Sequence, residues 1–154
     1  MRKSLLPLCF VYGMLAFATP GNAGSGSPIL LMSATEIKAN GKGHFITEIS
    51  INGSRLTALI DTGASAVALS YEDAETAGID SRNLEFNVPV TTANGQVNAA
   101  RVALDKVEID GVRVDNVDGL VLPPGALTGT LLGMSYLSRL RGFRIEDGVL
   151  YLKD

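Results

Sequence analysis

The chain has 154 residues, 46% of them hydrophobic, and its formal net charge is −3. This length favours one folded domain, and the mild acidity argues against nucleic-acid binding through a basic surface. His44 is the only histidine and Cys9 the only cysteine. These counts argue against a histidine-based metal site, a Ser-His-Asp triad and a disulfide framework. We predict no metal site and no cofactor.

The first residues have the layout of a secretory signal. Arg2 and Lys3 precede an apolar run over 5–18, and the small residues Gly21-Asn22-Ala23 follow. The apolar run is shorter than the roughly 20 residues that a membrane span needs. We predict a cleaved signal peptide over 1–23, with an uncleaved N-terminal membrane anchor as the alternative. Either one implies an exported chain, which is periplasmic or anchored in the inner membrane and faces the periplasm.

Residues 24–36 begin with a stretch rich in Gly, Ser and Pro that is typical of a linker, and we place one folded domain over 37–154. Short apolar segments separated by glycine turns then follow, a pattern typical of all-β folds. Hairpin turns are predicted at Asn52-Gly53, Asn94-Gly95, Asp110-Gly111 and Asp147-Gly148. The predicted strands cover 33–38, 45–51, 55–60, 66–69, 88–92, 97–109, 112–117, 119–122, 143–145 and 149–152.

Two short helices interrupt the strand pattern. Ser70 is a predicted N-cap for a helix over 71–77, which Gly78 ends. A second helix is predicted over 135–140. A weak internal repeat relates two halves, each with a hairpin, an apolar strand and a helix. The prediction is therefore an all-β fold, a closed antiparallel β-barrel with two short helices.

The strongest candidate for chemistry is the segment Ala58-Leu59-Ile60-Asp61-Thr62-Gly63-Ala64-Ser65. An apolar strand ends there in one acidic residue, and Gly63 permits a tight turn. A lone aspartate in a turn is often structural, because its side chain bonds nearby backbone or caps a helix. The small residues Ala64 and Ser65 leave room for a ligand beside Asp61, which favours a functional site.

Three segments resemble the retropepsin type of aspartic protease, in its single-domain, secreted or membrane-anchored bacterial form. They are residues 59–65 around Asp61, then Thr92-Ala93-Asn94-Gly95, then Leu131-Leu132-Gly133-Met134-Ser135-Tyr136-Leu137. The resemblance implies the barrel fold of that family and aspartic endopeptidase activity on a peptide or protein substrate. It also implies that Asp61 is catalytic and that a homodimer brings two Asp61 carboxylates together, since hydrolysis of this kind uses an acid pair.

The resemblance assigns a role to each matched residue. Asp61 would activate a water together with its counterpart in the second chain. Thr62, Gly63 and Ala64 would complete the active-site turn. A mobile flap would comprise Thr92, Ala93, Asn94 and Gly95, and a supporting loop under the turn would comprise Leu131, Leu132 and Gly133. An extended peptide would lie between the flap and the turn as an added strand.

Two positions depart from the retroviral pattern. Retroviral members have an acid two residues after the motif glycine and an arginine directly after the second glycine, and these two form an ion pair that supports the dimer. Ser65 and Met134 occupy those positions here. The resemblance also leads us to expect the strand over 149–152 at the dimer interface. Two other interpretations stay open, namely a non-catalytic peptide-binding module of the same fold and a structural domain in which Asp61 only bonds its own turn.

Overall fold

The computed structural model describes residues 34–92 and 95–154. The predicted signal peptide and most of the predicted linker lie outside these ranges. No helix within them has the length and apolar character that a bilayer crossing requires. The described strands are β1 (Ala34–Lys38), β2 (Ile46–Ile51), β3 (Ser54–Ile60), β4 (Val67–Leu69), β5 (Phe86–Thr92), β6 (Gly95–Ile109), β7 (Val112–Val121), β8 (Thr130–Leu132), β9 (Gly142–Glu146) and β10 (Val149–Lys153). The helices are α1 (Tyr71–Thr76) and α2 (Met134–Leu137), and Ser81–Asn83 form a 3-10 turn.

Six of the described strands close into a barrel. Their order is β2-β3-β8-β4-β7-β6, and β6 pairs back to β2, while β5 extends the sheet beyond β6. The β3–β8 and β4–β7 pairs are parallel, and the other barrel pairs are antiparallel. The predicted all-β barrel with two short helices is confirmed. The two parallel pairs depart from the antiparallel pairing that we predicted, because the strand pattern does not record which strands pair.

A second sheet lies outside this barrel order and contains both ends of the described domain. Its order is β1-β10-β9, and both pairings are antiparallel. Because β1 begins at Ala34, the last residues of the predicted linker are part of this sheet. β10 is the central strand, so both of its hydrogen-bonding edges are occupied within the chain. The strand that we expected at a dimer interface therefore has no free edge for a partner strand.

Three hairpin turns have the backbone that their sequences predict. Asn52, Asp110 and Asp147 have φ values of 52°, 45° and 48°, and the glycine that follows each has a φ of 89°, 86° and 74° respectively. Positive φ at both central residues matches the twist of the flanking strands in a two-residue hairpin. Asparagine, aspartate and glycine adopt this conformation at low cost, so local chemistry sets these turns.

The strands predicted separately over 112–117 and 119–122 form one continuous strand, β7. Gly119 lies inside it, and a Cβ at this position would be 3.0 to 3.1 Å from side-chain atoms of Leu104 and Val102. Gly119 therefore marks a close approach between side chains of β6 and the backbone of β7. The predicted strand break was wrong, because a glycine in a strand interior also serves such approaches.

The main core fills the barrel with aliphatic side chains from both sheets and from α1 and α2. Tyr136 of α2 is fully buried, and its hydroxyl donates to the carbonyl oxygen of Val112 at 2.9 Å. Burial raises the pKa of this phenol. A smaller apolar cluster, centred on Ala68, Ala99 and Leu122, is separate from the main core. Ala68 and Leu122 of this smaller cluster also line a surface cleft next to Asp61.

Candidate active site

Asp61 lies where two parallel strands end side by side. β3 and β8 pair in parallel, with Ile60 opposite Leu132. The N–H of Asp61 donates to the carbonyl oxygen of Leu132 at 3.1 Å. The backbone position of Asp61 is therefore set by the sheet, and a side chain on such a rigid element is held more accurately than one on a free loop.

The Asp61 carboxylate bonds its own turn through one oxygen. The N–H of Gly63 donates to Oδ1 at 2.8 Å, and the N–H of Ala64 donates to the carbonyl oxygen of Asp61 at 3.2 Å. A Cβ at residue 63 would lie 3.1 Å from that same Oδ1, so a side chain there would crowd the carboxylate. Within the described residues Oδ2 accepts no hydrogen bond. Asp61 is half-buried, whereas Thr62 and Gly63 are exposed.

Leu131 and Leu132, predicted as part of a supporting loop, are instead the last two residues of β8, and Gly133 after them lies directly against this turn. A Cβ at Gly133 would lie 2.6 Å from the carbonyl oxygen of Ala64 and closer still to that of Ala66. The N–H of Met134 donates to the Ala64 carbonyl at 2.8 Å. The two backbones therefore touch without any side chain between them, and only glycine fits at residue 133.

Ser135 links the same two parts of the chain, and its role was not predicted. Its hydroxyl accepts a hydrogen bond from the N–H of Val67 at 2.9 Å and donates one to the carbonyl oxygen of Asp118 at 2.6 Å. Residues 65 and 134 are a serine and a methionine, so neither position carries a charge. Ser65 is exposed, and Met134 packs against the main core. The Ser135 hydroxyl and the Met134 N–H thus connect α2 to the segment after Asp61 without an ion pair between residues 65 and 134.

A cleft of about 570 Å³ opens over the Asp61 turn. Its walls are mostly apolar and include Leu120, Leu122, Leu127 and Leu131. Among the described residues, Asp61 is the only ionisable side chain that lines this cleft. The same part of the chain contains no group of three or more His, Cys, Asp and Glu side chains suited to a metal ion.

The hairpin formed by β5 and β6 provides the far wall of the cleft. Residues 89–92 of β5 line it, and the two strands remain paired as far as Thr92 and Gly95. The tip of this predicted flap, Ala93 and Asn94, lies outside the described residues. The described part of the flap and the predicted active-site turn therefore border one cleft.

Comparison with known proteins agrees with this geometry. The family model described as "gag-polyprotein putative aspartyl protease" matches residues 47–139, more than half of the chain. The chain belongs to the retropepsin-like aspartic proteases. A relative from Sinorhizobium sp., named an uncharacterized protein in the cobV 5′ region, is 44% identical over 112 residues, which are 73% of this chain and 48% of that protein. The chain thus spans about half the length of that relative.

The fold of this retropepsin-like chain is similar to the folds of solved structures. The crystal structure of a retropepsin-like aspartic protease from Rickettsia conorii is 37% identical and has a TM-score of 0.72, covering 79% of this chain and 91% of that one. EIAV protease, complexed with the inhibitor HBY-793, is 19% identical and has a TM-score of 0.55, covering 71% of this chain and 100% of that one. The second likeness concerns the fold alone.

Proposed function

We propose that this protein is an aspartic endopeptidase in which Asp61 residues of two identical chains activate a water molecule for peptide-bond hydrolysis. One observation carries the proposal. Asp61 is the ionisable side chain lining an apolar cleft in a chain of an aspartic protease family. A mostly apolar cleft with one ionisable group suits a peptide whose side chains near the cleaved bond are apolar.

The requirement for two chains follows from the chemistry. One carboxylate must be ionised to accept a proton from water, and another must be protonated to polarise the scissile carbonyl. The described cleft offers only Asp61, so the second carboxylate comes from another copy across a two-fold axis. The exposure of Thr62 and Gly63 supports this arrangement, since the outer side of the turn is open to a partner.

The proposed reaction keeps one proton within the acid pair. The ionised carboxylate takes a proton from water while the water oxygen bonds to the carbonyl carbon. The protonated carboxyl donates to the carbonyl oxygen, which gives a tetrahedral diol. As the diol collapses, the C–N bond breaks, the amide nitrogen receives a proton from the pair, and a diol hydroxyl returns one. The amine and carboxyl products then leave.

We also propose that the protein works outside the cytoplasm, in the periplasm or anchored to the inner membrane. The charged start, the apolar run over 5–18 and the small residues before residue 24 support this location. Cell fractionation tests it: the protein is expected in the periplasmic or membrane fraction, and recovery only from the cytosol would contradict the proposal.

Substitution of Asp61 tests the catalytic proposal. Asp61→Asn removes the ionisable group but keeps the side-chain shape, so peptide cleavage at mildly acidic pH is expected to fall at least about a hundredfold. Asp147→Asn is the matched control, because it makes the same change in a hairpin turn where asparagine tolerates positive φ. Asp61→Asn protein that cleaves at the wild-type rate would refute the role of Asp61.

A further inference from the structure

A second groove continues from the cleft and is called the outer groove here. It has a volume of about 480 Å³ and shares Ser65, Ala66, Pro89, Val90 and Leu120 with the cleft that contains Asp61. An extended peptide that leaves the cleft on this side would therefore run into the outer groove. Substrate side chains farther from the cleaved bond would lie there.

The side chains that line the outer groove differ in charge from those that line the cleft. On β6, Val97 and Ala99 belong to the small apolar cluster, and Arg101 follows on the same face of the strand. On the neighbouring strand β7, Leu120 lies opposite Arg101, and Asp118 comes one step farther along that face. The outer groove is thus lined by the charged side chains of Arg101 and Asp118, whereas the only charged side chain among the described residues that line the cleft is Asp61.

Both charged groups of the outer groove are available to a ligand. Arg101 and Asp118 are exposed, and within the described residues neither the guanidinium nor the carboxylate has a hydrogen bond or an ion pair. Of the six other described arginines, four pair with nearby carboxylates and one bonds backbone carbonyls, whereas Arg141 lines neither groove. Within the described part of the chain, Arg101 thus offers an unpaired guanidinium in the groove that continues from the cleft.

We infer that the outer groove is a substrate subsite in which Arg101 binds an acidic side chain of the peptide. This inference rests on the proposed peptidase function and adds a charge preference to it. A guanidinium has five donors in a planar fork, so it can bind a substrate carboxylate through two parallel bonds and still face Asp118. A substrate lysine bound by Asp118 would instead place its ammonium group near the Arg101 guanidinium, and the two positive charges would repel each other.

Two-fold symmetry extends the inference to both ends of the peptide. In the proposed homodimer each chain contributes one outer groove, one on each side of the acid pair. The preferred substrate is therefore an apolar segment around the cleaved bond, with an acidic residue farther out on one or both sides.

Matched peptides test this subsite. A peptide that the purified protein cleaves is scanned with Glu, Gln or Lys at each outer position, and kcat/KM is measured at low and high salt. At one or more outer positions we expect Glu to exceed Gln by about fivefold, a size typical of a partly exposed charge pair, and the difference to shrink as salt screens it. Arg101→Gln should abolish the Glu preference, and Arg101→Glu should favour Lys.

Arg113→Gln is the control, because it removes the same charge from β7 at a position that lines neither groove, and it should keep the Glu preference. A wild-type protein that shows no preference for Glu, or an Arg101→Gln variant that retains one, overturns the inference. Labelled peptides with an apolar centre and Glu, Gln or Lys at the outer positions, chosen without regard to cleavage, are also titrated against the Asp61→Asn protein by fluorescence anisotropy. If the wild type cleaves no peptide, the proposed function fails, and these binding curves still decide the charge preference.

Discussion

Two glycines, one beside the Asp61 turn and one at the start of β9, differ in how closely the rest of the chain packs against them. Gly133 leaves no space for a Cβ, because the backbone of Ala64 and Ala66 occupies it. Gly142, at the start of β9, has no atom within 4 Å of an added Cβ. The two glycines look alike in the sequence, and only the residues packed around them distinguish a required glycine from a tolerant one.

Substitution of each glycine by alanine tests this contrast. Gly133→Ala forces backbone atoms apart, so the free energy of unfolding is expected to fall by about 3 kcal/mol or more. Gly142→Ala meets open space and should change it by less than about 0.5 kcal/mol. Chemical denaturation of both variants is the measurement, and equal stability of the two would contradict the close packing at residue 133.

At the scale of elements, α2 is too short to be stable through helix propensity alone. It comprises only Met134–Leu137, fewer residues than the 135–140 prediction, and the chain reaches β9 at Gly142. Side chains hold it in place instead: Ser135 bonds the backbone of β4 and β7, and the Tyr136 hydroxyl bonds the start of β7. Tertiary contacts therefore fix both the position and the length of this element.

Two serines of this region provide a matched test. Ser135→Ala leaves the N–H of Val67 without its partner, so we expect a loss of about 1 to 2 kcal/mol in unfolding free energy. It should also lower kcat more than it raises KM, because the segment after Asp61 loses an anchor. Ser138→Ala removes a bond only to the Met134 carbonyl one turn earlier, and its free energy of unfolding should stay within about 0.5 kcal/mol of wild type. A variant Ser135→Ala with unchanged kcat would show that this link is only structural.

At the scale of the whole molecule, the proposed activity depends on association of two chains. Among the described residues, Asp61 is the only ionisable side chain in the cleft of one chain. Residues 65 and 134 are uncharged, so they form no ion pair that could support a dimer. β10 is already paired on both sides. A partner chain therefore cannot add a strand to β10, whereas among the described residues the outer side of the Asp61 turn is exposed.

Mixing wild-type and Asp61→Asn chains tests the shared site. If chains exchange freely and both copies of Asp61 are needed, an equal mixture retains about one quarter of the activity of the same total amount of wild type. If one Asp61 suffices in the shared site, the heterodimers are active too and the mixture retains about three quarters, and if each chain acts alone it retains about one half. Activity is measured after incubation, and light scattering over a range of concentrations reports the fraction of dimer. A fully active monomer would refute the dimer.

The sequence by itself determined the features that depend on local chemistry. The Asn52, Asp110 and Asp147 hairpins follow from residues that accept positive φ, and the segment around Asp61 indicated the family. Only the tertiary structure decided that β7 is one strand through Gly119, and that Ser135 joins three elements. It also decided that β3 and β8 run in parallel under Asp61. These features depend on segments far apart in the chain, and no local pattern records which of them will come into contact.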